Sequence, residues 1–215
     1  MMCFDNAFTV FAGPNGGGKS SLVYSLWKGN PSAPYVCADS IAKEAPICGI
    51  QNSDQRNLAA MVKAQEIVND RLLKRLSVAY ETVLSSDYKW GLFELAIKNE
   101  MPIYAYYVTT CDPLINVRRV KRRVLEGGHD VPEDKIISRY HRSHANLGKL
   151  LTLCRSAYVF DSSKENEPPA LVLYKSRNTL LFHEEIAMSY AWLSDLRDSW
   201  VKDGLFNIDQ YCDSL

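Results

Sequence analysis

Gly13-Pro14-Asn15-Gly16-Gly17-Gly18-Lys19-Ser20 is the stretch that most restricts what this 215-residue chain can fold into. It fits G-x-x-x-x-G-K-[ST] at each fixed position. The apolar, β-prone run Phe8 to Ala12 precedes it, and Ser20 to Leu26 reads as a helix after it. Glycines let the backbone curl so that successive N–H groups face one oxyanion, and the helix N-terminus adds its positive end. In such a loop Lys19 reaches the β- and γ-phosphates, and the Ser20 hydroxyl is a Mg²⁺ ligand. A chance Gly-rich turn needs neither the strand before the motif nor the helix after it. Gly13 through Ser21 are therefore the candidate ATP-binding residues, with ATP and Mg²⁺ as cofactors.

The rest of the chain alternates in the same way. Tyr35 to Ala38, Val78 to Tyr80, Ile103 to Val108 and Ala157 to Phe160 read as short buried strands, and Leu171 to Lys175 is a sixth candidate. Between them lie helical patterns. Asn52 or Ser53 caps one whose stripe is Leu58, Met61 or Val62, Gln65, Val68, Leu72 and Leu76. Another starts at Ser86 or Asp87. A third starts at Asp112-Pro113 and stops at Gly127-Gly128. A fourth runs from Pro132 to about Leu153, and a last amphipathic one covers about His183 to Val201. This order predicts an α/β fold: a P-loop NTPase with a doubly wound parallel sheet of about five strands, a helical lid and a C-terminal helix. Residues 1–165 are expected to form the core, with the lid at about 112–150. Residues 166–215 are expected to form an extension packed on it.

Ligands of such sheets bind beyond the carboxyl ends of the strands. Asp39 follows the second strand. A carboxylate there can accept a hydroxyl proton and help hold Mg²⁺, or it can cap a helix. Glu81 and Thr82 end the third strand, where a charge is costly unless it faces the cleft or is hydrogen-bonded. Both are candidate acceptor-binding residues.

Formal charge sums to zero, 25 Lys+Arg against 25 Asp+Glu. This excludes a broadly basic nucleic-acid binder. Residues 112–160, however, carry 10 basic and 5 acidic side chains, and residues 161–215 carry 5 and 10. Arg118 with Arg122, and Arg119 with Arg123, are like-charge i, i+4 pairs that cost about 0.2–0.5 kcal/mol each without an anion nearby. Arg139 and Arg142 follow on the next helix. Together these arginines suit a lid over phosphates; a solvated basic face is the plainer alternative. His129, after the two glycines, is a candidate hinge or phosphate contact. The six scattered cysteines suggest free thiols in a reducing compartment. The first residues lack a signal peptide and no apolar run is long enough for a membrane span, so the expected location is the cytoplasm, with no membrane partner. N-K-x-D and L-S-G-G-Q are absent, which leaves guanine specificity and a transporter-type ATPase unsupported.

These residues resemble the zeta-toxin family, in its branch of small predicted ATPases. The resemblance rests on Ala12 to Ser21, Cys37 to Ala42, Tyr80 to Ser85, and the run Arg119-Val120, Arg123-Val124, Gly127 to Pro132, Arg139-Tyr140, Arg142-Ser143 and Asn146-Leu147. It covers roughly residues 7 to 162. It implies a P-loop kinase that moves the ATP γ-phosphate to a hydroxyl of a nucleotide-sugar-like acceptor, UDP-N-acetylglucosamine in well-understood members. It also implies an antitoxin protein as partner. By resemblance Asp39 is the base, Lys19 the phosphate lysine, Glu81 part of the acceptor region, and Arg123 and Arg139 the paired lid arginines. Arg119 goes with the nucleotide and Arg142 with the acceptor. Cys37 and Val83 depart from the family pattern, the latter removing a hydroxyl near the acceptor. Two alternatives remain: a polynucleotide-end kinase, disfavoured because few aromatics interleave the arginines, and a non-catalytic ATP-dependent interaction module.

Overall fold

The computed structural model describes residues 6–27, 33–128, 130–183, 192–194 and 200, and the backbone of Asn207–Gln210. A parallel sheet forms first from β1 (Phe8–Ala12), β2 (Tyr35–Val36), β3 (Val78–Thr82), β4 (Ile103–Thr109) and β5 (Ser156–Asp161), in the order 2-3-1-4-5. The strands are short, mostly apolar or β-branched runs. β1 is buried at each of its five residues, as a strand covered on both faces must be. Three further strands extend the sheet, the first at the sixth candidate, Leu171 to Lys175, and two beyond it. β6 (Ala170–Ser176) and β7 (Thr179–Phe182) are antiparallel additions after β5, and β8 (Asn207–Gln210) pairs parallel with β7. The β6–β7 connection is only Arg177-Asn178, with Arg177 at φ 51°, a two-residue hairpin without the glycine that usually announces one.

Period-two alternation divides β1 between two cores. Phe8, Val10 and Ala12 join the larger one, with residues of α3 (Ser53–Leu73), α4 (Trp90–Lys98) and α7 (Leu147–Leu153). Phe11 faces α1 (Lys19–Trp27), packing with Val23, Trp27 and Ala79. The sheet is thus wound on both faces.

Asn52 caps α3, its Oδ1 accepting from the Gln55 N–H at 3.0 Å. The buried stripe of α3 differs from the one expected. It is Ala60, Ala64, Val68 and Leu72, whereas Leu58 and Val62 are exposed. Small residues let α3 lie close to the sheet, and strict i, i+4 spacing set the face. α2 (Ala38–Ile41) begins where the second strand was expected to continue. α5 (Pro113–Leu125) starts with Asp112 Oδ1 accepting from the Leu114 N–H at 2.8 Å. Gly127, at φ 85°, ends its turn. The helix expected from Pro132 to Leu153 is two, α6 (Glu133–Ala145) and α7, broken at Asn146. There the Asn146 Nδ2 donates to the Leu84 carbonyl at 3.0 Å. Of the last expected helix, Trp192–Ser194 and Trp200 are helical, and Leu193 and Trp200 are buried. His183, where it was expected to begin, is described and is not helical; residues 184–191, 195–199 and 201, and His129, lie outside the described residues. No helix among the described residues is long and apolar enough to cross a membrane.

Candidate active site

Each parallel strand delivers its next residues to one end of the sheet. There β1 leads into the glycine loop, β2 into Asp39, β3 ends at Glu81-Thr82, β4 leads to Thr110, and β5 ends at Asp161 before Ser162. The loop is held by its neighbours. A Cβ on Gly13 (φ 140°) would sit 2.0 Å from the Val108 carbonyl oxygen, so a side chain there is excluded by contact as well as by backbone. Asn116, fully buried on α5, donates from Nδ2 to the Asn15 carbonyl at 2.6 Å and accepts at Oδ1 from the Thr110 hydroxyl. The Ser162 hydroxyl lies 2.9 Å from the Gly17 carbonyl and 3.1 Å from that of Thr109.

The arginine helix sorts its own charges. Arg118 and Arg122 are exposed, and Arg122 sits 3.7 Å from Glu165. Arg119 and Arg123 are half-buried. Arg119 donates to the Ser162 hydroxyl at 3.0 Å and the Ser162 carbonyl at 2.5 Å, with Gly16 O at 3.5 Å. It therefore braces the loop against the end of β5. Arg139 reaches in from α6, its Nη1 3.4 Å from Asn15 Oδ1. Arg142 is exposed.

Lys19 is buried, its Nζ donating to the Gly13 and Pro14 carbonyls at 2.8 and 3.0 Å, with Glu81 Oε1 at 4.0 Å. Burial lowers its pKa below the usual lysine value. Glu81 and then Asp39 oppose that shift, while Arg123 adds to it. Glu81, Asp39 and Arg123 thus all act on the Lys19 ammonium. Asp39 lies in the first turn of α2, and Cys37 holds the N-cap position without a side-chain cap bond, so Asp39 is not the helix cap. Glu81 accepts from the Tyr35 hydroxyl. Burial and then Glu81 push the Tyr35 pKa up, keeping it a donor. Thr82 is buried; its Oγ1 accepts from the Leu84 N–H at 3.1 Å and from Lys89 Nζ at 2.8 Å. Ser20 and Ser21 are exposed on the first turn of α1. Among the described residues no group of three or more His, Cys, Asp or Glu is placed to hold a metal. A P-loop Mg²⁺ needs no such cage, because phosphate and water oxygens supply most of its ligands.

Four residues of this site lack an obvious sequence signal: Tyr35, Lys89, Asn116 and Ser162. Asn116 leaves the clearest trace, as a polar residue within the apolar stripe of α5 beside Val117 and Val120.

No protein-family model matches the sequence, and a search of curated proteins finds no match. Solved structures do match. The matches share this chain's fold at 14–16% identity. The native AvrRxo1-ORF1:-ORF2 complex aligns with a TM-score of 0.67 at 16% identity, covering 93% of this chain and 69% of that one. The same complex with ATP gives 0.62 at 15% identity, over 79% of this chain. The PezAT chromosomal toxin-antitoxin system of Streptococcus pneumoniae gives 0.59 at 14% identity, over 94% and 78% of the two chains. In the ATP-bound match this chain spans 58% of its counterpart's length.

Proposed function

We propose that the protein is an ATP- and Mg²⁺-dependent small-molecule kinase and the toxin of a toxin–antitoxin pair. The observation that carries this reading is a complete phosphate loop whose buried Lys19 lies 4.0 Å from Glu81 and feels the charges of Asp39 and Arg123. Gly13 through Ser21 bind the ATP phosphates, and Arg119 keeps the loop's shape behind them. Ser20 and Asp39 would hold Mg²⁺, which would offset the charge of the phosphates. Asp39 accepts the proton of an acceptor hydroxyl as that oxygen bonds to the γ-phosphorus and the bond to the β–γ bridging oxygen breaks. Lys19, Arg123 and Arg139 stabilise the charge on the moving group and on the ADP that leaves. Glu81, Thr82 and Arg142 bind the acceptor, for which UDP-N-acetylglucosamine is the best candidate. Residues 1–165 form the kinase core in this reading, and 166–215 are an extension of it. The similarity to the PezAT toxin-antitoxin system supports an antitoxin partner, and AvrRxo1-ORF1:-ORF2 is likewise a complex.

The reading is tested by turnover of the Asp39→Asn variant. A general base contributes about 10²–10⁴-fold, so the rate should fall by that factor while ATP affinity holds. A rate within tenfold of wild type removes Asp39 from the role. Expression of Lys19→Ala should also relieve growth inhibition; inhibition that persists rules out the toxin reading.

A further inference from the structure

We propose that Lys89, with the Thr82 hydroxyl, forms a subsite for a phosphate oxyanion carried by the phosphoryl acceptor. This deepens the kinase reading above and rests on it. Lys89 ends the single 3-10 turn Asp87–Lys89, after β3 and before α4, so it stands on the strand end that carries Glu81 and Thr82. Its Nζ donates to Thr82 Oγ1 at 2.8 Å and lies 5.6 Å from the Tyr80 ring centroid and 5.9 Å from that of Tyr88. An ammonium has three donors; here one meets a hydroxyl, and the aromatic faces take part of the charge. Among the described residues no carboxylate lies within 4.0 Å of it.

The surroundings make that arrangement costly in the empty protein. Burial first, then the positive charges of Lys19 and Arg139, lower the Lys89 pKa to about 8, against Glu81 and Cys37. The same Glu81 stands 4.0 Å from Lys19, which joins Lys89 to the phosphate end of the cleft. A half-buried cation surrounded by other cations is stabilised by an anion arriving with a ligand. The ATP phosphates already have the loop, Lys19 and the arginines. Lys89 instead sits with the candidate acceptor residues, so the anion belongs to the acceptor. A lysine serves phosphate well as a point charge, whereas planar carboxylates favour the arginine fork.

The test uses the full chain saturated with Mg²⁺ and a non-hydrolysable ATP analogue. UDP-N-acetylglucosamine and UDP are titrated as charged probes, N-acetylglucosamine and uridine as neutral ones. In Lys89→Gln the charged probes should bind roughly 10–100-fold more weakly, the loss of one hydrogen bond to a charged group. The neutral probes and the ATP analogue should stay within twofold. Lys89→Arg, which keeps the charge, should recover part of the loss. Charged and neutral probes weakened alike in Lys89→Gln would show a structural role and overturn the proposal. So would wild-type protein that holds UDP no more tightly than uridine. Failure to bind the ATP analogue would refute the kinase reading instead, and the charged-against-neutral comparison, repeated without analogue, would still decide Lys89.

Discussion

Asn116→Ala removes the side chain that ties α5 to the phosphate loop, and its effect follows from the contacts. Two hydrogen bonds disappear, from Nδ2 to the Asn15 carbonyl and from the Thr110 hydroxyl to Oδ1. Each is worth about 1 kcal/mol net. The Thr110 hydroxyl keeps the Asp112 carbonyl at 3.0 Å, so it is not orphaned. The Asn15 carbonyl sits on a half-buried residue that water reaches, which keeps its penalty small. The buried volume left by the amide adds on the order of 1 kcal/mol. The sum is about 2–3 kcal/mol of stability, read as a lower urea midpoint at unchanged slope. ATP affinity should fall by about tenfold, because ordering one freed loop residue costs about 1–2 kcal/mol. Asn116→Asp should lose at least as much, since it turns an acceptor toward the Asn15 carbonyl. Stability within 0.5 kcal/mol and ATP affinity within twofold of wild type, by the cutoffs these magnitudes set, would refute the role given to Asn116.

Three further outcomes follow. His144 is 5% exposed, with Nδ1 donating to the Tyr140 carbonyl at 2.8 Å and Nε2 accepting from the Thr109 hydroxyl at 3.0 Å; burial lowers its pKa to about 4. The unfolded chain takes this proton first, so stability should fall by up to about 3 kcal/mol between roughly pH 6.5 and 4. A His144→Asn variant with the same acid loss would contradict this. Lys89 also has a lowered pKa, so its charge disfavours the empty folded state at neutral pH. Lys89→Met should raise the melting temperature at pH 7, with the advantage shrinking as pH rises from about 8 toward the unfolded lysine value; a pH-independent difference would argue against it. Gly13→Ala should destabilise severely, because its Cβ overlaps the Val108 carbonyl; a soluble variant with wild-type melting would show that the loop shifts freely.

The parallel sheet and the phosphate loop were legible in the sequence because their signals are local. A strand buried on both faces is an apolar run, and the loop is a fixed spacing of glycines ended by Lys19 and Ser20. Asp39, Glu81 and Thr82 were legible through topology, since ligands collect beyond parallel strand ends. Other features depend on partners far away in the chain. The stripe of α3 is legible at Val68 and Leu72 but not at Ala60 and Ala64, whose hydrophobic signals are weak beside Leu58 and which only packing on the sheet selects. Lys89 reads as a residue of the first turn of an ordinary helix until the fold sets it near Tyr80. Ser162 becomes a brace only through Arg119, 43 residues away. Which of the two i, i+4 arginine pairs faces inward depends on where α5 meets the loop.

The most direct test of the central claim is mass spectrometry of a nucleotide and nucleotide-sugar pool incubated with the protein, ATP and Mg²⁺. The kinase account predicts one new species heavier by a single phosphate, formed with ADP and absent when Lys19→Ala replaces the wild-type protein. ATP that binds and yields only ADP and free phosphate, or no product at all, would contradict it.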